Sequence, residues 1–327
     1  MLAFLVKRIL YMIPTLLVIS VISFVLIQLP PGDYLTSYIA QLSQTGVVVD
    51  EALVAALRRQ YGLDRPLYVQ YFKWLTGIFQ GNFGYSFEWN QPVANLIGER
   101  LALTVAVSLS SLLLAWIIAL PIGILSAVRQ YSIFDYVFTF IGFLGLSVPS
   151  FMLALVLMYF ANRYFGISVG GLFSPEYVDA PWSWAKVVDL LQHMIIPTII
   201  VGMSSAAGLI RTMRANLLDQ LQKPYVETAR AKGLKKWKLV LKYPVRVALN
   251  PFISSIGFTL PQIVSGSTIT SVVLSLPTTG PLLHRALLSQ DMYLAGTFVM
   301  LLACLTVVGM LLSDILLAWL DPRIRYE

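Results

Sequence analysis

Few side chains in this sequence have the type and spacing for chemistry, and the stretch that concentrates them is basic. Residues 211–251 read RTMRANLLDQLQKPYVETARAKGLKKWKLVLKYPVRVALNP, with ten Lys or Arg against two acidic residues, Asp219 and Glu227. That pattern suits charged contact with a partner; it holds no set of groups that makes or breaks bonds. His193 and His284 stand alone, with no second ligand at metal spacing, and read as solvated or interfacial. No Ser/His/Asp or Cys/His set is present, and Cys304, the single cysteine, lies in an apolar run where packing is its expected role. None of the 21 glycines is followed by Lys, so there is no G-x-x-x-x-G-K loop to hold ATP phosphates.

The elements that must carry this stretch are apolar. Hydrophobic residues make up 57% of the 327 and charged residues 12%, with a mean hydropathy of +0.76. Soluble chains carry roughly a quarter charged residues, so most of this chain is expected in lipid. Six segments approach the roughly 20 apolar residues that a membrane span needs: 9–29, 102–128, 134–161, 195–210, 252–276 and 294–320. The first has 21 residues without a charge, beyond the roughly 7–15 of a signal-peptide core, and is expected to be a retained span. The fourth is short, holds Pro197 and is rich in small residues, which suits an interior position against other helices.

Charge sets the orientation. With the N-terminus cytoplasmic, the inner segments hold fifteen Lys or Arg and five acidic residues, and the outer segments hold eight and ten. The surplus of +7 therefore reflects positive-inside topology, and nucleic acid is excluded as its cause. Both termini and the basic stretch fall inside. Outside, the long loop 30–100 is expected to contain an amphipathic helix over 50–61 and an aromatic one over 66–79 lying at the lipid boundary. The loop 162–194 is irregular and ends in a short helix over 184–193, and the loop 277–293 is compact and carries Pro277, Gly280 and Pro281. No fixed-period repeat and no break in composition divides the chain, so 1–327 reads as a single transmembrane domain.

Within the basic stretch, Pro224 can open a helix, Glu227 falls in its first turn, and Gly233 can stop it. The spacing predicts a helix over 225–232 and a second over 235–243, ended by Pro244. Together they form a compact knob, and Tyr225, Val226, Ala229 and Ala231 give it a small, smooth face that a merely solvated loop would not need.

Span five is polar on several sides, with Ser254, Thr259, Gln262, Ser267, Thr270 and Ser271 among its residues. Either these line a passage or they pack against partner helices. With Asp135 at the inner edge of the third segment counted among the inner residues, Asp314 is the acidic residue expected within a span, and a structural role fits it best.

Glu227-Thr-Ala229-Arg-Ala231-Lys-Gly233, followed by Asn250-Pro251, resembles the signature loop of permease subunits of bacterial ABC importers. The likeness is narrower still to the first permease subunit of the dipeptide, oligopeptide and nickel type. It extends through Lys7-Arg8, Pro31-Gly32-Asp33, the stretches 61–66 and 81–86, Ser147-Val-Pro149-Ser-Phe151, Arg211-Thr-Met-Arg214 and Asp321-Pro-Arg323. One departure follows span five: Ser271 stands where the family usually has Glu, and Pro277-Thr278-Thr279-Gly280 replaces Pro-Gly-x-Gly.

The resemblance implies an all-α polytopic membrane protein with six transmembrane helices and a cytoplasmic coupling-helix loop, 211–251, between spans four and five. It implies that Tyr225, Glu227, Ala229, Arg230, Ala231, Lys232 and Gly233 make and shape the contact with a cytoplasmic ATPase. The chain itself would be no enzyme and hold no cofactor; ATP and Mg would be bound by two ATPase subunits. The other implied partners are a second homologous permease subunit, an extracytoplasmic substrate-binding protein and the lipid bilayer, in a bacterial or archaeal cytoplasmic membrane. Short peptides are the implied cargo, with oligosaccharides as the alternative. A self-contained secondary transporter would need coupling charges in mid-membrane and an internal repeat, and a membrane enzyme would need ionisable groups there; the sequence shows neither pattern.

Overall fold

A computed structural model describes residues 2–28, 55, 59, 64–86, 88–166, 170–254, 262 and 268–320. The helices are α1 (Leu2–Gln28), α2 (Leu67–Phe79), α3 (Val93–Val128), α4 (Ile133–Ser147), α5 (Ser150–Phe165) and α6 (Trp184–Leu221). They continue with α7 (Pro224–Ala231), α8 (Lys236–Lys242), α9 (Pro244–Ala248), α10 (Thr268–Val273), α11 (Thr279–Leu288) and α12 (Met292–Leu320). A two-residue antiparallel pair, β1 (Tyr85–Ser86) and β2 (Gln91–Pro92), precedes α3, in register Tyr85 to Pro92 and Ser86 to Gln91. Packing divides the chain into two units, residues 1–102 with 278–308, and 103–277 with 309–327.

In the first unit α2 lies on α1. Trp74 and Leu75 are buried with Phe24, and the Tyr71 hydroxyl hydrogen-bonds Ser20 Oγ at 2.8 Å. Leu67, Tyr68, Phe72 and Phe79 along α2 stay exposed, as expected of an aromatic helix at a lipid boundary. The helix expected over 50–61 lies largely outside the described residues. A second core joins Val93, Leu96 and Ile97 of α3 to Leu282, Ala286, Leu294 and Phe298. Asp291, fully buried, caps α12 by accepting from Leu294 N, and its other oxygen accepts from Ser86 Oγ and Glu88 N.

In the second unit, one cluster packs Leu103 and Val107 of α3 against Ala154, Leu172, Leu190, Met194, Ile200 and Leu274. Another gathers Ala127, Met213, Leu217, Val226, Ala229, Leu239, Val240 and Val245. The second cluster positions the basic knob.

Several expected elements come out differently. The segment 134–161 is not one straight span but a helix pair, α4 and α5, bent by 98°. Pro149 has no N–H to continue the helix, and it holds Val148 in an extended conformation at φ −93°, ψ 120°. The separate helix expected over 184–193 and the short span 195–210 are one continuous helix, α6, of 38 residues; the Ser183 hydroxyl starts it by accepting from Lys186 N. Pro197 sits inside it without breaking it. The compact loop 277–293 contains α11, which tolerates Gly280 and Pro281 because they fall in the first turn, where no backbone donor is needed. Among the described residues, α3, α6 and Met292–Leu317 are long and apolar enough to cross a membrane, with α4–α5 a fourth if counted as one span. Within 252–276, residues 255–261 and 263–267 lie outside the described residues.

Candidate coupling surface

The basic knob forms close to its expected bounds. Lys223 is extended at φ −78°, ψ 145°, as a residue before proline prefers, and Pro224 opens α7. Glu227 occupies the first turn and Arg230 the last, the charge order that the helix dipole favours. Gly233 closes it at φ +78°, and its N–H donates to the Arg230 carbonyl at 3.0 Å. A Cβ at Gly233 would meet nothing within 4 Å, so backbone conformation alone asks for glycine here.

The knob has two faces. Val226 and Ala229, one turn apart, are buried against Met213 and Leu217 of α6 and Leu239 and Val240 of α8. Tyr225, Glu227, Thr228, Arg230, Ala231 and Lys232 are exposed. The smooth face read from the sequence is therefore divided. Ala229 is an anchor in the chain's own core, in the cluster that holds Met213, Leu217, Leu239 and Val240; Ala231 alone of the two alanines looks outward. Tyr225 Oη donates to Gln220 Oε1 at 2.9 Å, fixing the ring beside the start of α7, and burial pushes its phenol above the ordinary value.

The surroundings are strongly cationic. Lys223, Arg230, Lys232, Lys235, Lys236, Lys238, Lys242 and Arg246 are all exposed, with Glu227 the one acidic residue from 220 to 254. Arg230 and Lys236 also border a cleft of about 470 Å³, otherwise lined by Val128, Leu221, Leu234, Leu239 and Val240. The outer side of α7 thus presents an exposed carboxylate, an aromatic ring and cations, with its inner side buried in the chain's own core.

The expected passage residues are less united. Thr259 and Ser267 lie outside the described residues. Ser254 and Gln262 are helical and exposed, and Ser271 is half-buried. Thr270 is buried, and its hydroxyl lies 2.8 Å from Ser150 Oγ, so it joins α10 to α5. His193 is also accounted for locally: its Nδ1 lies 2.9 Å from the Asp189 carbonyl, while the Asp189 carboxylate accepts from Ser174 N and Oγ.

One residue went unmarked as a site in the sequence. Asp135, buried near the start of α4, pairs with Arg214. Ser132-x-x-Asp135 ahead of an apolar run is a helix-start signal, and a carboxylate in the first turn of an apolar helix asks for a cation.

Two family descriptions match nearly the whole chain. "Binding-protein-dependent transport system inner membrane component" matches residues 119–326, and the corresponding N-terminal region matches residues 1–109. The chain belongs to this permease family. The permease is 36% identical to the oligopeptide transport system permease protein AppB of Bacillus subtilis, over 100% of both chains. It is 32% identical to the oligopeptide permease protein OppB of Haemophilus influenzae and 32% identical to the glutathione transport system permease protein GsiC of Salmonella choleraesuis, again over 100% of each chain. Among solved structures, an inward-facing crystal form of the MetNI methionine ABC transporter superposes with a TM-score of 0.50 at 19% identity. That match covers 69% of this permease and 96% of the MetNI chain, a likeness of fold.

Proposed function

We propose that this permease is the membrane subunit of an ATP-driven importer of short peptides and forms half of its translocation pathway by alternating access. The observation that carries the reading is α7: Val226 and Ala229 are buried in a core shared with α6 and α8, while Tyr225, Glu227 and Thr228 face outward beside a left-handed Gly233. A helix held that way transmits a push from a docked protein into the membrane helices. Oligopeptide and glutathione permeases among the relatives support a peptide cargo, with oligosaccharides as the alternative for the same machinery.

In this reading residues 1–327 act as one permease domain with six spans and both termini cytoplasmic, in a bacterial cytoplasmic membrane. The partners are a second permease subunit, two ATPase subunits that bind ATP and Mg, and an extracytoplasmic binding protein. Tyr225, Glu227, Arg230, Ala231 and Lys232 make the ATPase contact, with Ala229 and Gly233 shaping it. Ser254, Gln262 and Ser271, with Thr259 and Ser267, are the pathway positions that remain to be probed by cysteine accessibility.

Affinity purification of the tagged permease from its native membrane tests the assembly. Recovery of a stoichiometric ATPase and a second permease supports the reading. Ion-driven uptake by the lone chain in liposomes overturns it. Screening the cognate binding protein with peptide and oligosaccharide libraries separates the two cargoes.

A further inference from the structure

We propose that the Asp135–Arg214 ion pair is a positioning joint, which carries movement of α7 through α6 into the bent pair α4–α5. The proposal rests on the reading of α7 as the ATPase contact. Arg214 Nε donates to Asp135 Oδ1 at 2.6 Å and Nη2 to Oδ2 at 2.7 Å, a two-pronged fit that fixes angle as well as distance. Asp135 is only 2% exposed. Its Oδ2 also accepts from Tyr131 N at 3.0 Å, and its own N–H donates to Ser132 Oγ. One carboxylate thus ties the loop before α4, the first turn of α4, and α6.

Both sides of the pair suit a joint. Arg214 lies next to Met213 and three residues before Leu217, both fully buried in the cluster that grips Val226 and Ala229. A displacement of α7 reaches the turn of α6 that carries the guanidinium through this shared core, by way of α8 and α9. Farther along, the α4–α6 contact becomes smooth. A Cβ on Gly145 would lie 3.1 Å from Ala207 Cβ, and one on Gly142 would lie 3.8 Å from the Ala207 carbonyl oxygen. Among the described residues no other side-chain hydrogen bond joins α4 to α6. A cleft of about 420 Å³, lined by Phe138, Ile141, Met203 and Ile210 among others, opens beside this seam. A single polar pin at one end, a glycine seam beyond it and room at its side let α4 turn about the pin while its first turn follows α6.

The test uses the permease assembled with its second permease and ATPase subunits in nanodiscs. With Cys304→Ser as background, spin labels at Leu146→Cys on α4 and Met203→Cys on α6 report their separation before and after ATP with vanadate. The expected result is a shift in the unmodified complex that shrinks at least about twofold in Asp135→Leu/Arg214→Met, while ATP hydrolysis by the assembled complex persists. Removing both charges together avoids the stranded carboxylate that Arg214→Met alone would bury, and so keeps the variant foldable. Arg214→Lys, which keeps the charge without the fork, should retain an intermediate shift. An undiminished shift in the double variant overturns the joint alone. No shift in the unmodified complex overturns the coupling reading, and the joint with it.

Discussion

Gly123 of α3 lies against Met213 of α6 so closely that a Cβ added to it would fall 2.7 Å from Met213 Cβ and 3.0 Å from the Ile210 carbonyl oxygen. Both neighbours are fixed, Met213 by complete burial and Ile210 by the helix backbone. Gly123→Ala should therefore destabilise the permease by about 1–3 kcal/mol, the usual cost of overpacking. Gly98, on the same helix, has nothing within 4 Å of such a Cβ. Gly98→Ala should be neutral or stabilising by up to about 1 kcal/mol through helix propensity. Thermal unfolding of both variants in detergent checks the contrast, and equal shifts would show that the α3–α6 approach is less tight than described.

Gly233→Val places a β-branched residue at φ +78°, where its side chain clashes with its own backbone. The turn after α7 must then rearrange, although nothing else is crowded there. Peptide uptake by the assembled importer in proteoliposomes should fall at least about tenfold while membrane insertion is retained. Normal uptake would remove Gly233 from the coupling surface.

Glu227→Lys reverses the one acidic charge on that surface and puts a cation in the first turn of α7. Co-purification with the ATPase should weaken, and the difference from the unmodified permease should shrink as added salt screens the exposed charges. Glu227→Gln, which keeps shape and hydrogen-bonding capacity, should lose less. Equal retention of the ATPase by both variants would mean that the carboxylate does not face the partner.

Lys186 is 6% exposed, and its Nζ donates to the carbonyls of Ala180 at 2.6 Å and Val178 at 3.3 Å, above the rings of Phe173 and Trp182. Lys186→Met keeps the stem but strands two carbonyls, at a cost of about 1–3 kcal/mol. Limited proteolysis should cut the loop 172–183 faster in this variant, with transport by the purified complex largely retained.

Local punctuation was legible in the sequence, and continuity was not. The bounds of α7 came within a residue because Pro224 and Gly233 act through their own backbone chemistry. Pro149 and Pro197 carry the same local signal with opposite outcomes: α4 and α5 bend at one, and α6 runs through the other. Which happens depends on neighbours, since Pro197 is itself buried in α6. The inward turn of Ala229 follows from the packing of α6 and α8 around it, and nothing in residues 225–233 alone says which side is covered. Asp135 and Arg214 stand 79 residues apart, beyond any helical period, so only the fold brings them together.

At 38 residues α6 is about 57 Å long, nearly twice the roughly 30 Å hydrocarbon thickness of a bilayer. One end is tied to the loop 172–183 through Asp189 and Lys186, and the other carries the seat of α7. A rod of that length works as a lever: a tilt of about 10° about one end sweeps the other through about 10 Å. Small rotations at the end that carries α7 are enough to shift the opposite end by a molecular width.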